Sequence, residues 1–218
     1  MSDRAIVLAN GSIHDADMLK KRLQPWEEAI VIAANGGVQH AEKLGLNIDM
    51  VIGDLDSLDE AEGTALEAAN IHTVRVAAQK DETDLELALL YADEMGVRHI
   101  VVLGAFGDRI DMSMSNLLLL THPGLAAVHI EYWYGQQTAW VIRPPGDEVH
   151  GQPGDTLSLI PLGGDALGII THELYYPMND ETLVFGPARG VSNVLTASIA
   201  SVELRSGIVL AVHSPAKV

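Results

Sequence analysis

The chain has 218 residues, 48% of them hydrophobic, a formal net charge of -17 and no cysteine. The charge argues against a general nucleic-acid binder or a protein held on an anionic membrane. The missing cysteine removes disulfides, thiolate zinc sites and cysteine nucleophiles together. The opening MSDRAIVLANGS is too short in its apolar run for a secretory h-region, and LLLL at Leu117–Leu120 is far too short to span a bilayer. A cytoplasmic protein is therefore expected.

Up to about residue 125, short apolar runs alternate with amphipathic stretches. The runs are AIVLA from Ala5, AIVIAA from Ala29, MVIG from Met50, HTVRVA from His72 and HIVVLGA from His99. Between them DADMLKKRL, VQHAEKLG, DEAEGTALEAA and DETDLELALLYADEMG carry apolar residues at helical spacing. That rhythm predicts βαβ units, hence a mostly parallel sheet with helices on its faces. Ser57 with Glu60 and Thr83 with Glu86 fit capping boxes at two helix starts. Leu85, Ala88, Leu89 and Ala92 form the stripe that the second of these helices should bury.

Beyond GDRIDMSMSNLLLLTHPG the rhythm changes. From Leu125 on, VHIEYWY, TAWVI, DTLSLIPL, LGIITHELYY, ETLVFG, TASIASVEL and GIVLAVH are separated by turn segments such as PPGD, GQPG, PLGG, GPARG and RSG. Regularly spaced strands with Gly/Pro turns predict an antiparallel sandwich or barrel. The expected division is an α/β domain over 1–124 and an all-β domain over 125–218, cut near Pro123–Gly124.

In an open parallel sheet, ligands bind outside the carboxyl ends of the strands. The unusual polar residues fall at those ends. The first strand runs into Asn10, Gly11 and Ser12, and the second into Asn35, Gly36 and Gly37. The third is followed by Gly53–Ser57, the fourth by Gln79–Asp84 and the fifth by Gly104–Asp111. Taken in succession, these loops outline one site along the sheet edge.

The stretch VIGDLDS places Asp54 and Asp56 two residues apart, so in extended backbone both carboxylates face the same side. Like charges crowded in this way repel unless a cation sits between them; the other reading is that Asp56 is a helix-start acid favoured by the dipole. Asp84, at the start of the next helix, can join them, with Asp111 a fourth candidate. An oxygen-only set without His or Cys suits Mg²⁺ or Mn²⁺. The glycines at Gly11, Gly36, Gly37 and Gly104 would let backbone N–H groups approach phosphates, although tight strand-to-helix turns also want glycine. Neither G-x-x-x-x-G-K-[ST] nor G-x-G-x-x-G is present. Arg109 fits a phosphate partner or a surface salt bridge. Lys80 has the same two readings. Gln79 fits a nucleotide contact or an ordered loop. In the second domain Ser192 and Asn193 fit a grip on a polar ligand or a hairpin turn. Trp133 is a weaker candidate for stacking a ring.

Taken in order, NGG, VIGDLDSL, QKDETDLELAL, GAFGDRID-x-x-x-x-N, SLIPLGGDALGI, YYPM and RGVSN resemble the thiamin pyrophosphokinase family over almost the whole chain. The resemblance implies an N-terminal Rossmann-like α/β/α nucleotide-binding domain and a C-terminal β-sandwich that binds thiamin. It implies ATP-dependent transfer of diphosphate to the hydroxyethyl group of thiamin, giving thiamin diphosphate and AMP. It further implies a homodimer with the vitamin near the subunit interface. On that pattern Asp54, Asp56 and Asp84 hold Mg²⁺. Gln79, Arg109 and Asp111 lie around the ATP phosphates and the reacting hydroxyl, and Ser192 and Asn193 contact the thiamin ring. Asn10, Gly11, Gly36, Gly37 and Gly104 complete the expected phosphate side. Four positions depart from the family pattern: Asn35 stands where Asp is usual, Met112 where His is usual, Glu173 where Gly is usual and Val194 where Glu is usual. A different alcohol as acceptor, or a non-catalytic sensor, is the alternative those departures raise.

Overall fold

The computed structural model describes residues 2–54, 71–76 and 80–216. Asp56, Gln79 and the Ser57–Glu60 capping box lie outside the described residues. The chain divides into two compact units, Met1–Gly135 and Gln136–Val218.

The first unit holds strands β1 (Arg4–Leu8), β2 (Ile30–Ala34), β3 (Met50–Gly53), β4 (His72–Arg75), β5 (His99–Leu103) and β6 (His129–Tyr134). Its helices are α1 (Ala16–Leu23), α2 (Gln39–Leu44), α3 (Asp84–Glu94) and α4 (Ile110–Leu119). The strands lie side by side in the order β6-β5-β1-β2-β3-β4, and every pair is parallel. Each apolar run of the sequence became one of these strands; the inner ones are apolar because both their faces are covered, whereas β4 is the edge strand, with His72 and Arg75 exposed. Alternate residues serve the two faces. Ile6, Leu8, Val31, Ala33, Val101 and Leu103 pack with Leu19 and Leu23 of α1 and with Ala41 and Leu44 of α2. The predicted stripe of α3, Leu85, Ala88, Leu89 and Ala92, is buried, and that helix packs on β1, β2 and β3.

The helix ends follow local chemistry. The Asp15 carboxylate accepts from Met18 N–H at 3.2 Å at the start of α1, and the Thr83 hydroxyl does the same for Glu86 N–H at 3.2 Å at the start of α3. Helix α2 stops at Gly45, which takes a left-handed φ of 69°.

VHIEYWY, assigned from the sequence to the second domain, forms β6 of the first unit. It pairs in parallel with β5 from His99↔His129 to Leu103↔Trp133. The division between compact units accordingly falls between Gly135 and Gln136 rather than near Pro123–Gly124.

The second unit is β-rich, and no α-helix occurs among its described residues. One set of strands runs in the order β12 (Asn193–Val194), β9 (Thr156–Pro161), β14 (Val209–Ser214), β7 (Gln137–Ile142), with the pairs β12–β9, β9–β14 and β14–β7 antiparallel. A second antiparallel sheet runs β11 (Glu181–Leu183), β10 (Ala166–His172), β13 (Ile199–Glu203), β8 (Gly146–His150). Both sets feed one core that includes Trp140, Leu157, Leu159 and Val209 from the first and Val149, Ile169, Leu183 and Val202 from the second. Strand β8 was not anticipated. In GDEVH only Val149 points inward, so the segment reads as a turn.

Candidate active site

Strand order in the first unit reverses at β1. The chain proceeds through β2, β3 and β4 on one side and returns to the other side for β5 and β6. The connections leaving β1 and β5 diverge at such a point and open a crevice beyond the strand ends. A cavity of about 430 Å³ lies there, lined by Asn10, Asn35, Asp84, Arg109, Met112 and Asn116 among others.

Its floor is built by close backbone approach. A Cβ on Gly11 would sit 2.3 Å from the carbonyl oxygens of both Gly104 and Phe106, and one on Gly37 would sit 2.0 Å from Leu8 O. Gly104 takes a φ of 72° with Ala9 O only 2.4 Å from where its Cβ would stand. A Cβ on Gly36 would meet the Asn10 side chain at 2.7 Å. The Gly11 N–H donates to Gly104 O at 2.7 Å and the Ser12 N–H to Phe106 O at 2.6 Å. At Gly11 the sequence signal therefore reflects joining of the β1 and β5 loops, with the N–H already engaged. Asn10 lines the cavity, and its Oδ1 accepts from Gln39 Nε2 at 2.6 Å.

The acidic residues converge through an amide. Asn35, at a φ of 43°, donates from Nδ2 to Asp54 Oδ1 at 3.1 Å and to Asp84 Oδ2 at 3.1 Å. Asp84 is the first residue of α3, so the Thr83 cap fixes its backbone. Its other oxygen, Oδ1, lies 2.5 Å from Lys80 Nζ, with the two side chains 25% and 15% exposed. The structure thus brings Asp54 and Asp84 together from different strand ends. Among the described residues, no three His, Asp or Glu side chains form a metal-sized group, and Asp56 lies outside them.

Arg109 and Asp111 lie at the N-terminus of α4, and Arg109 lines the same cavity as Asp84. The Arg109 Nε donates to Asp111 Oδ1 at 3.1 Å, and a second guanidinium nitrogen reaches Oδ2. Both side chains are exposed. The mutual hydrogen bond holds the Asp111 carboxyl below its ordinary range and the Arg109 guanidinium above its own.

Ser192 and Asn193 belong to the second unit. Ser192 is exposed and takes a φ of 63°, with its N–H donating to Ser158 Oγ at 3.1 Å. Asn193 is buried, and its amide is used internally. Its Oδ1 accepts from Tyr176 N–H at 3.0 Å and Val194 N–H at 2.9 Å, and its Nδ2 donates to Tyr176 O at 2.7 Å. Trp133 is buried in the first unit, with the Arg22 guanidinium 3.9 Å from its ring centre.

Three residues around the crevice had no individual role in the sequence reading. Asn116, 6% exposed, donates from Nδ2 to Ala105 O at 2.7 Å and braces the β5 loop. The Ser113 hydroxyl accepts from Gly107 N–H at 3.2 Å. His40 meets Gly11 O through Nε2 at 2.8 Å, and burial lowers its pKa, so it acts as a neutral strut. Asn116 is the asparagine of GDRID-x-x-x-x-N, but its bond to Ala105 O and that of His40 to Gly11 O form only on folding, so the sequence does not assign them.

Two family models match the chain. One described as "Thiamin pyrophosphokinase, catalytic domain" covers residues 23–132, and one described as "Thiamin pyrophosphokinase, vitamin B1 binding domain" covers residues 142–209. The chain belongs to the thiamin pyrophosphokinase family. A curated thiamine pyrophosphokinase of Bacillus subtilis is 29% identical over 164 residues, which is 74% of this chain and 76% of that protein. The crystal structure of thiamine pyrophosphokinase from Bacillus subtilis superposes with a TM-score of 0.83 at 24% identity, covering 97% of this chain and 99% of that one. The yeast thiamin pyrophosphokinase superposes with a TM-score of 0.77 at 16% identity, covering 97% and 86%. At such identities the superpositions speak for the fold: an α/β unit followed by a β-rich one. Membership in the thiamin pyrophosphokinase family carries its reaction, ATP-dependent transfer of diphosphate to thiamin.

Proposed function

We propose that this chain performs the thiamin pyrophosphokinase reaction in the crevice at the carboxyl ends of β1 and β5. Asp54, Asp84 and Asp56 hold a divalent cation, and Arg109 reaches the ATP phosphates. What supports this most directly is the convergence of Asp54 and Asp84 on one amide, 3.1 Å from each. Two carboxylates that share one hydrogen-bonding amide present hard oxygen donors to a common region, a set that suits Mg²⁺ or Mn²⁺. A bound ion of this kind neutralises phosphate oxygens and favours attack at phosphorus.

The chain's own groups do the rest. Asp54 and Asp84 fix where the polyphosphate lies. Arg109, exposed and paired with Asp111, can swing from the surface to a phosphate oxygen. Asp111, with its carboxyl held low, is poorly matched to take a proton near neutral pH. It is better suited to orienting Arg109. Gln79 and the loops at Asn10, Gly36, Gly37 and Gly104 flank the nucleotide. In the second unit the exposed Ser192 addresses the thiamin ring, and Asn193 holds the Tyr176 backbone beside it.

The finer fold assignment is a Rossmann-like first domain and a β-sandwich second domain. The all-parallel sheet supports the first and the core shared by two antiparallel strand sets supports the second. The assembly is a homodimer. Exposed apolar residues Ile110, Met114 and Leu118 on α4, and Tyr175, Tyr176 and Phe185 in the second unit, supply surface that a second copy would bury.

The test is ³¹P NMR with ATP, Mg²⁺ and thiamin. Wild-type protein should yield AMP and thiamin diphosphate, and a folded Asp54→Ala variant should leave ATP intact. Intact ATP with wild type would refute the proposal.

A further inference from the structure

The family pattern explains why acids gather at the crevice. It does not explain the neutral amide and the ammonium that lie against them. The neutral Asn35 amide spends both N–H donors, one on Asp54 and one on Asp84. The Lys80 ammonium lies 2.5 Å from the remaining oxygen of Asp84. Lys80 and Asp84 are four residues apart, one on the loop and one on the first turn of α3. Each is mostly buried, so solvent screens their attraction only in part.

We propose that Asn35 and Lys80 form a resident clamp on the acidic pair, in which Lys80 couples metal uptake to nucleotide binding. The ammonium neutralises Asp84 in the nucleotide-free chain and competes with a free divalent ion for Oδ1. Incoming polyphosphate offers the ammonium more negative charge than one carboxylate does. Lys80 then moves to phosphate, and Asp84 is released to the ion. Asn35 stays. Its two donors keep Asp54 and Asp84 at the spacing the ion needs, so it is a positioning residue.

The inference rests on the assignment of Asp54 and Asp84 as metal carboxylates. Its signature is a pair of opposite effects. Lys80→Met keeps the aliphatic stem and deletes the charge. It should tighten binding of Mn²⁺ alone about five- to tenfold, since one competing charge at short range is removed. It should weaken binding of α,β-methylene-ATP in the presence of EDTA by a similar factor. A merely structural lysine would weaken both. Asn35→Gly removes the amide at a position whose φ of 43° glycine accepts without strain. It should weaken Mn²⁺ binding several-fold without lowering the melting temperature.

The measurements are electron paramagnetic resonance titration for Mn²⁺ and calorimetry for the analogue, with Asp54→Asn as control. If Asp54→Asn binds Mn²⁺ like wild type, the metal assignment itself falls. If Asp54→Asn abolishes binding while Lys80→Met leaves Mn²⁺ affinity unchanged or lowered, the clamp falls alone. Opposite shifts for Mn²⁺ and the analogue establish it.

Discussion

Asp84 accepts from Asn35 on one oxygen and from Lys80 on the other, so a change there removes two interactions at once. Asp84→Asn should lower kcat/KM for ATP by at least about 10²-fold, the scale on which single electrostatic groups act in transition states, measured by coupled AMP release. Gly37 shows a different constraint. Its α-hydrogen faces Leu8 O where a Cβ would lie 2.0 Å away. Gly37→Ala must push β1 and the β2 loop apart and should cost about 2–4 kcal/mol, read as a lower unfolding midpoint in urea. Glu173 is a site of backbone strain. It adopts a φ of 57°, where a side chain is disfavoured by about 1–2 kcal/mol, and its carboxylate accepts from Thr196 Oγ at 3.0 Å. Glycine adopts this conformation without a side-chain penalty. Glu173→Gly relieves the strain and forfeits an exposed hydrogen bond, so it should raise stability by up to about 1 kcal/mol, visible as a higher melting temperature. Aspartates at i and i+2 stand out in the sequence as a candidate pattern for a divalent ion, although Asp56 lies outside the described residues. The amide joining Asp54 to Asp84 was not, because Asn35 meets each of them across a strand connection.

Among elements, α3 ties stability to the site most tightly. Thr83 caps it through a 3.2 Å hydrogen bond to Glu86 N–H, and the next residue is Asp84. Thr83→Ala should cost about 1 kcal/mol of stability. It should also weaken Mn²⁺ binding, because the first turn frays and takes the carboxylate with it. Thr83→Ser should restore both, and rescue of stability without rescue of Mn²⁺ binding would separate the cap from the site. The cap and the buried stripe of α3 were legible in sequence, since both arise from contacts within one helical turn or one helix face. The neighbour of β6 was not. An apolar alternating run such as VHIEYWY satisfies a parallel or an antiparallel partner equally, and its pairing with β5 is set by where the chain returns.

At the scale of the whole molecule, the second unit closes on a buried carboxylate. Burial works to raise the Asp155 pKa, but hydrogen bonds from Ala216 N–H and Gln152 N–H and the contact with His213 bring it below its ordinary value. The Asp155 oxygens lie 2.8 Å from Ala216 N, 2.8 Å from Gln152 N and 2.9 Å from His213 Nε2. A carboxyl whose folded pKa is depressed stabilises the fold above its unfolded pKa, about 4, and that stability is lost as pH falls through the folded value. Asp155→Asn should therefore lower the melting temperature near neutral pH, and the deficit should shrink as pH is lowered below about 4. A deficit constant from pH 7 to pH 3 would refute the ionic contribution of Asp155.

The sequence by itself determined the strands of the first unit, the helices α1, α2 and α3, the cap at Thr83, and that acids and glycines gather at the strand ends. Each depends on residues close along the chain, whose spacing maps directly onto a turn or a pleat. Motif order was enough to name the family. The tertiary structure decided the reversal of strand order at β1, the close approach that makes Gly11 and Gly37 obligatory, and the contacts of Asn35 and Lys80 with the acidic pair. These depend on where distant segments meet. That placement comes from the packing of two sheet faces at once, and no local window of sequence encodes it.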